Sequence, residues 1–358
     1  MEGVIELLYG IPVLGLIFQF LGYLLEVVPS ISPIILQSAT PIALAALCGV
    51  MCERAGVVNI GIEGTMIASA FVGWYAGVLL VPAFGDARME LFGITPALVV
   101  ALSIAIGAGM LISLLHAWLS ISVKADQIIS GTIINIAAFG LTGYLNTLIS
   151  QTSPNGAGAF RPFIPPAELV SIPVIGWIVN MFLRQGPIAM SVLVLVIVFQ
   201  IMLFRSRWGL RARAVGEHPR AAETAGIDVL RVRYRSVILG GVFAALAGAF
   251  LSMEGTNSFQ QGMTAGRGFI GLAAMIVGRW TPLGALGAAL LFASSRAIGD
   301  SINFFPPDGQ LGELVGYLPG QFFDVLPYVV TIIVLAGLIG RAYPPAADGQ
   351  PYEREAKG

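Results

Sequence analysis

The sequence predicts an all-α, polytopic membrane protein: a transmembrane helical bundle of about ten spans, with eight or nine as alternatives. Broken or re-entrant helices and one helix outside the bilayer are part of that expectation. Three observations predict it. Only 11% of the 358 residues are charged while 56% are hydrophobic, and mean hydropathy is +0.85. A soluble domain carries about 25% charge and needs it to cover a wetted surface. Several apolar runs also approach the ~20 residues that a helix needs to cross the hydrocarbon core, without the short alternating pattern of a membrane barrel.

Hydropathy marks spans near 5–27, 32–51, 58–81, 96–119, 128–149, 187–204, 236–253, 263–279, 281–299 and 323–341. The first run, with "MEGVIELLYG" at its start, lacks the basic n-region of a cleavable signal. Residues 1–31 are therefore expected to be an apolar extension, a span or an interfacial helix. Residues 263–299 read either as two short spans or as a broken hairpin around "GRWTPLG". The stretch 150–186 is rich in Pro, Gly and Ser and reads as an irregular lid with one short helix near Ile175–Leu183. The transmembrane domain is set at 32–341, and the polar segment 342–358 is expected to be a disordered tail. Gly73 and Gly77, and the small residues of "GGVFAALAGAF", read as faces for close helix packing.

Charge orients the bundle. Eight arginines fall between Arg205 and Arg235. Cytoplasmic loops collect Lys and Arg, so this loop is placed inside. Alternating the spans from there puts fourteen of the 19 basic residues inside and both termini in the cytoplasm. Positive charge alone does not explain the middle of the loop. Pro219 suits the first turn of a helix and Gly226 a helix stop, so "PRAAETA" reads as a short helix. Ala221, Ala222 and Ala225 would give it a slim face. A helix that short is marginal alone and needs a surface to dock on.

The chemistry of most other classes is missing. The chain has two lysines and no GxxxxGK[ST] motif, so it builds no P-loop. It has two histidines and no HExxH or GxSxG, so no catalytic residue, metal site or cofactor is assigned. Cys48 and Cys52 read as small core residues. Polar residues inside spans are costly and become candidates for a solute path or for fixing a helix break: Asn59, Glu63, Asn135 and Asn257. Glu53 and Arg54 read as an interfacial ion pair, His116 as an interfacial structural residue, and Glu254 as a solvated cap.

"RAVGEHPRAAETAGI" resembles the cytoplasmic loop of inner-membrane permeases of ABC importers, in the group that handles branched-chain amino acids, simple sugars and nucleosides. "CERAGVVNIGIEGTMIASAF", "SGTIINIAAFGLTGYL" and "GRGFIGLAAMIVGRWTPLGALGAALLFA" resemble the nucleoside-type members. In that group a Gly-x-x-x-x-A-A-x-x-x-G-I pattern forms a coupling helix that docks on an ATPase; Gly216, Ala221, Ala222, Gly226 and Ile227 fill it here. Many relatives have Asn where this chain has His218. The resemblance implies a coupling set of Gly216, Glu217, His218, Pro219, Ala221, Ala222, Glu223, Gly226 and Ile227. It further implies a multi-pass protein of the bacterial inner membrane, with cytoplasmic ABC ATPase subunits, a second permease subunit in a heterodimer and an extracytoplasmic solute-binding lipoprotein or protein as partners. Membrane lipid is a further partner and nucleic acid is not. The expected solute is a nucleoside or related small polar molecule. A simple-sugar permease and an ion-coupled secondary transporter are the alternatives.

Overall fold

The structure is a computed structural model. It describes residues 12–84, 91–150, 158–172, 175–320 and 342–353, with residues 322, 325, 329, 332 and 333 besides. The described residues are helical, with turns and extended connections and no strand. Seven helices among them are long and apolar enough to cross a membrane. The expected spans 5–27 and 32–51 form one continuous helix, α1 (Pro12–Glu53). It runs through Pro29, Pro33 and Pro41, because a proline removes one ladder donor and membrane helices tolerate that loss. The spans α2 (Ile62–Phe84), α3 (Pro96–Ala117, prolonged by a wide turn at Trp118–Ser122) and α4 (Gln127–Ser150) follow. Two short helices, α5 (Ala167–Val170) and α6 (Ile175–Leu183), occupy the Pro-rich stretch, and α6 has the bounds expected from sequence.

Then come α7 (Pro187–Arg205), α8 (Arg207–Glu217), α9 (Pro219–Thr224) and α10 (Val229–Ala249). The expected span at 263–279 is instead α11 (Arg267–Val277), 11 residues and about 16 Å long, half a hydrocarbon core. After a turn comes α12 (Pro282–Phe304), long and apolar enough to cross a membrane, so residues 263–299 hold one half-length helix and most of a full-length one, and α13 (Gly309–Gly316) follows. The expected span 323–341 lies, but for a few positions, outside the described residues.

The chain divides into two compact units. One contains residues up to Ser38, Ile164–Arg184 and Leu290–Gly340. Its described part is held by Tyr23 and Ile302, with Leu24, Val27, Ile298 and Val315 packed around them. Tyr23 Oη donates to the Phe305 carbonyl at 3.0 Å, and the Leu311 N–H donates to Gln19 Oε1 at 3.0 Å.

The other unit contains Ala39–Phe163, Gln185–Ala289 and the C-terminal segment from Arg341. Its centre is the packing of α2, α3 and α10 through small residues. A Cβ added at Gly248 would stand 2.0 Å from the Met66 carbonyl oxygen, and one at Gly241 would stand 2.4 Å from Ser113 Oγ. Lipid supplies no hydrophobic drive between helices, so close backbone approach is what binds them. Gly73 meets Ala105 and Met253 of the same chain. Near the middle of α2, Phe71 and Phe259 pack edge to face at 5.1 Å.

This packing predicts opposite outcomes for two glycines of α3. At Gly109 a Cβ would meet the Ala245 Cβ at 2.6 Å and the Gly241 carbonyl at 2.8 Å, whereas at Gly107 nothing lies within 4 Å. Gly109→Ala should lower stability by about 1–3 kcal/mol. Gly107→Ala should leave it unchanged or raise it by up to ~1 kcal/mol. Unfolding in nanodiscs measures both.

Candidate functional site

The basic loop folds as two helices. Ser206 starts α8, its Oγ accepting from the Gly209 N–H at 3.1 Å. This helix was not anticipated; a serine directly before "RWGLRARAV" is the N-cap signal that marks it. His218 breaks the chain, Pro219 opens α9, and Gly226 ends it with φ +81°. The short helix expected between Pro219 and Gly226 is therefore present. The His218 side chain makes no cap hydrogen bond. Ala222 is 4% exposed and packs with Ala212 and Val215 of α8 and Val229 and Val232 of α10. The three alanines therefore do not share one outward face. Ala222 points inward, while Ala221 and Ala225 are exposed.

The loop rests on the end of α1. A Cβ at Gly216 would lie 2.3 Å from the Arg54 carbonyl oxygen, so only glycine fits there. Glu53 and Arg54 do not serve as the pair expected from sequence. Both clasp the turn between α11 and α12. Trp280 Nε1 donates to Glu53 Oε2 at 2.6 Å, and Arg54 donates through Nε to the Trp280 carbonyl at 2.8 Å and through Nη2 to the Arg279 carbonyl at 3.1 Å. Arg279 and Trp280 are left-handed, with φ of 53° and 52°. Each costs on the order of 1–2 kcal/mol, and the clasp holds them. Phe204, at the end of α7, receives the guanidinium of Arg54 at 5.6 Å and that of Arg213 at 5.1 Å.

The tail departs from expectation. Residues 342–353 are not a free polar segment but run as turns and extended chain against this loop. The Ala347 N–H donates to the Gly216 carbonyl at 2.8 Å, and the Ala346 N–H to Glu217 Oε2 at 3.2 Å. Tyr352, 6% exposed, enters the cluster around Ala222, and its hydroxyl donates to Glu223 Oε2. Arg233 is 1% exposed, and its Nη1 donates to the Gln350 carbonyl at 2.9 Å. One of the loop's eight arginines thus binds the tail rather than lipid. At the rim, Lys124 Nζ meets Glu353 at 2.7 Å.

The sequence missed Trp280, Arg233 and Tyr352. The one signal for Tyr352 is a lone aromatic after "PPAADGQP". Asp348 faces Glu53 and Arg233, and burial pushes its carboxyl pKa up to about 6, against lesser lowering by hydrogen bonds and by Arg233.

The polar residues of the spans meet at a second place. Residues 54–61 between α1 and α2 are not helical, and their backbone groups need partners. The Val58 N–H donates to Gln127 Oε1 at 2.7 Å, and its carbonyl meets His116 Nε2 at 3.0 Å. Asn135 accepts from the Gly64 N–H at 2.7 Å and donates to the Ile60 carbonyl at 3.0 Å. His116 is thus a buried brace. Asn59 is 1% exposed, with its amide toward the sulfurs of Cys48 and Cys52 at 3.9 and 3.8 Å.

Glu63 caps α11, accepting from the Gly266 N–H at 2.8 Å and the Gly268 N–H at 2.6 Å. A carboxylate there also offsets the positive end of the helix dipole. Gly266 has φ +77°, and a Cβ at Gly268 would stand 2.6 Å from Glu63 Oε2. Glu63 and Asn135 line a cavity of about 500 Å³ with Phe139, Thr264 and Phe269. Asn257 is exposed, with φ 52°, and does not line it. Glu254 is not a solvated cap; it caps α7, accepting from the N–H groups of Ile188 at 2.7 Å and Ala189 at 3.2 Å.

The chain is thus a polytopic helical membrane protein whose basic loop folds as two helices against the end of α1. The chain belongs to the family described as branched-chain amino acid transport system / permease component, which matches residues 33–335. It is similar to the guanosine ABC transporter permease protein NupQ of Bacillus subtilis, 40% identical over 92% of this chain and 98% of that protein. It is similar to the nucleoside ABC transporter permease protein NupC of Lactococcus lactis, 36% identical over 88% of this chain and 93% of that one. A putative glucose ABC transporter permease protein of Haloferax volcanii, TsgC13, is 34% identical over 89% and 96%. No solved structure matches.

The Asp348 environment predicts a pH dependence. Its pKa is raised above the ordinary 3.8, so docking of the tail is strongest below that value and weakens as pH rises through about 6. Between pH 5 and 7, amide exchange at 345–352, corrected for intrinsic rate, should accelerate by up to about tenfold per unit. Asp348→Asn should flatten the profile; a profile unchanged by that substitution would contradict the assignment.

Proposed function

We propose that this protein is the permease subunit of an ATP-driven importer for a nucleoside or related small polar solute. It couples through the 205–235 loop to a separate cytoplasmic ABC ATPase. The observation that carries the reading is the seat of Gly216 on Arg54, which holds α9 with Ala221 and Ala225 facing outward. The chain itself has no P-loop, and the family it belongs to supplies permease components. The coupling set is Gly216 through Pro219, Ala221, Glu223, Gly226 and Ile227, with Ala222 as its internal anchor. The partners are two ATPase subunits, a second permease subunit and an extracytoplasmic solute-binding protein. The membrane is the bacterial inner membrane, with the loop and both termini in the cytoplasm. The hydrogen bond between Tyr352 and Glu223 supports a tail and a loop on one side.

The cavity beside Glu63 is the proposed niche on the solute path. Its size suits a nucleoside, and Phe139 and Phe269 offer faces for a base. Asn135 borders it; Asn59 and Asn257 act elsewhere, the first inside the packing and the second in an exposed bend. The two nucleoside-type relatives favour this solute over a simple sugar, which the glucose relative keeps as the second reading. An ion-coupled carrier is disfavoured because Glu63, its candidate coupling carboxylate, is engaged by two backbone N–H groups.

Because Ala222 is internal, the substitutions that test docking are Ala221→Arg and Ala225→Arg. Each should weaken ATPase association by at least about tenfold, equivalent to ~1.4 kcal/mol, and lower co-purification and ATP-dependent uptake of labelled guanosine with it. Membrane insertion should be normal. Retained association would remove the coupling assignment. Guanosine uptake should be indifferent to excess glucose; uptake of glucose instead would select the sugar reading.

A further inference from the structure

The tail and the loop form one folded unit. Three groups of the tail engage the coupling segment at three successive places: Ala347 at the Gly216 carbonyl, Ala346 at Glu217, and Tyr352 at Glu223. The same short stretch is anchored to the spans at three others. The Gln350 carbonyl accepts from buried Arg233 at the base of α10, and Asp348 faces Glu53 at the end of α1. Glu353 meets Lys124 between α3 and α4. Gly56, with φ +79°, makes room for the tail, since a Cβ there would stand 3.0 Å from the Ala347 carbonyl.

Alone, α9 is a six-residue helix, too short to keep its position against a load. It meets the bundle through the Ala222 cluster, with the Gly216 seat just before it in α8, and the Tyr352 ring closes that cluster. Tail and loop also form the two walls of a groove of about 820 Å³, with His218, Pro219 and Ala221 on one side and Gln350 and Tyr352 on the other.

We propose that the C-terminal segment Ala346–Glu353 is a positioning brace: it locks the coupling helix to α1 and α10, so that force applied at α9 moves the spans rather than the loop alone. This rests on the coupling reading of the loop given above and adds a residue set to it, with Tyr352 as the wedge and Arg233 as the anchor. The brace acts through α9 and leaves the outward face of Ala225, which lies outside that groove, to the partner.

The test uses the full permease in nanodiscs, alone and with the ATPase subunits that co-purify with it. Three variants serve: a chain ending at Pro344, Tyr352→Ala, and Tyr352→Phe, which keeps the ring. Without the ATPase, the truncation and Tyr352→Ala should speed amide exchange across 216–227 by about tenfold or more, leaving α3 and residues 237–249 of α10 unchanged. Tyr352→Phe should do so much less. With the ATPase, both disruptive variants should retain subunit association and ATP hydrolysis, yet the solute moved per ATP should fall at least about fivefold, with Tyr352→Phe near wild type. A merely structural tail would lower both activities together.

Wild-type exchange in Tyr352→Ala, or wild-type transport per ATP in the truncated chain, overturns the brace and leaves docking through α9 intact. Loss of ATPase association on truncation overturns it too, by making the tail a docking contact. Failure of the docking reading itself shows separately, as an ATPase that still binds Ala225→Arg.

Discussion

The organisation of this permease depends on one close approach: Gly216 lying against the backbone carbonyl of Arg54, with no room for even a methyl group. A contact between two backbones has little compliance, because neither side has a rotamer to yield. It fixes the loop to the last turn of α1. From there the connection is short and polar. The Arg54 guanidinium and the Glu53 carboxylate hold the Arg279–Trp280 turn, which ends half-helix α11. The other end of α11 is held by Glu63, beside the cavity bordered by Asn135, Phe139 and Phe269. Between the loop and the cavity there is thus a chain of stiff contacts and one rigid rod about 16 Å long.

The intramembrane polar residues serve this construction. The non-helical link 54–61 between α1 and α2 carries backbone N–H and C=O groups that, where buried, cost on the order of 1–3 kcal/mol each unless paired. Gln127, His116 and Asn135 supply those pairs from α3 and α4. Few polar groups remain for the cavity, whose walls are largely apolar. That suits a conduit: a site that held solute tightly would release it slowly, and selection is better delegated to an external binding protein.

What the sequence made legible follows from where local chemistry decides the structure. The apolar runs gave most of the spans, and Pro219 and Gly226 bracketed α9, because proline and left-handed glycine act within one turn. The same reasoning failed where tertiary contacts decide. Pro29 and Pro33 did not interrupt α1. Ala222 turned inward because α8, itself unforeseen, lies behind it. Composition called residues 342–358 disordered, yet the described part is ordered by partners far away in sequence: Gly216, Glu223 and Arg233. Glu63 and Asn135 were found as candidates, but their partners, the glycines of "GRGF" and the segment before α2, required the fold.

The central claim is that loop, clasp and half-helix move as one body. Spin labels at Leu210 on the loop and Ile276 on α11, both exposed, measure it directly by electron–electron distance spectroscopy on the assembled transporter. The account predicts one narrow distance distribution, the same with and without nucleotide, while labels placed across the two permease subunits shift. A nucleotide-dependent change of several ångströms between Leu210 and Ile276 would contradict it.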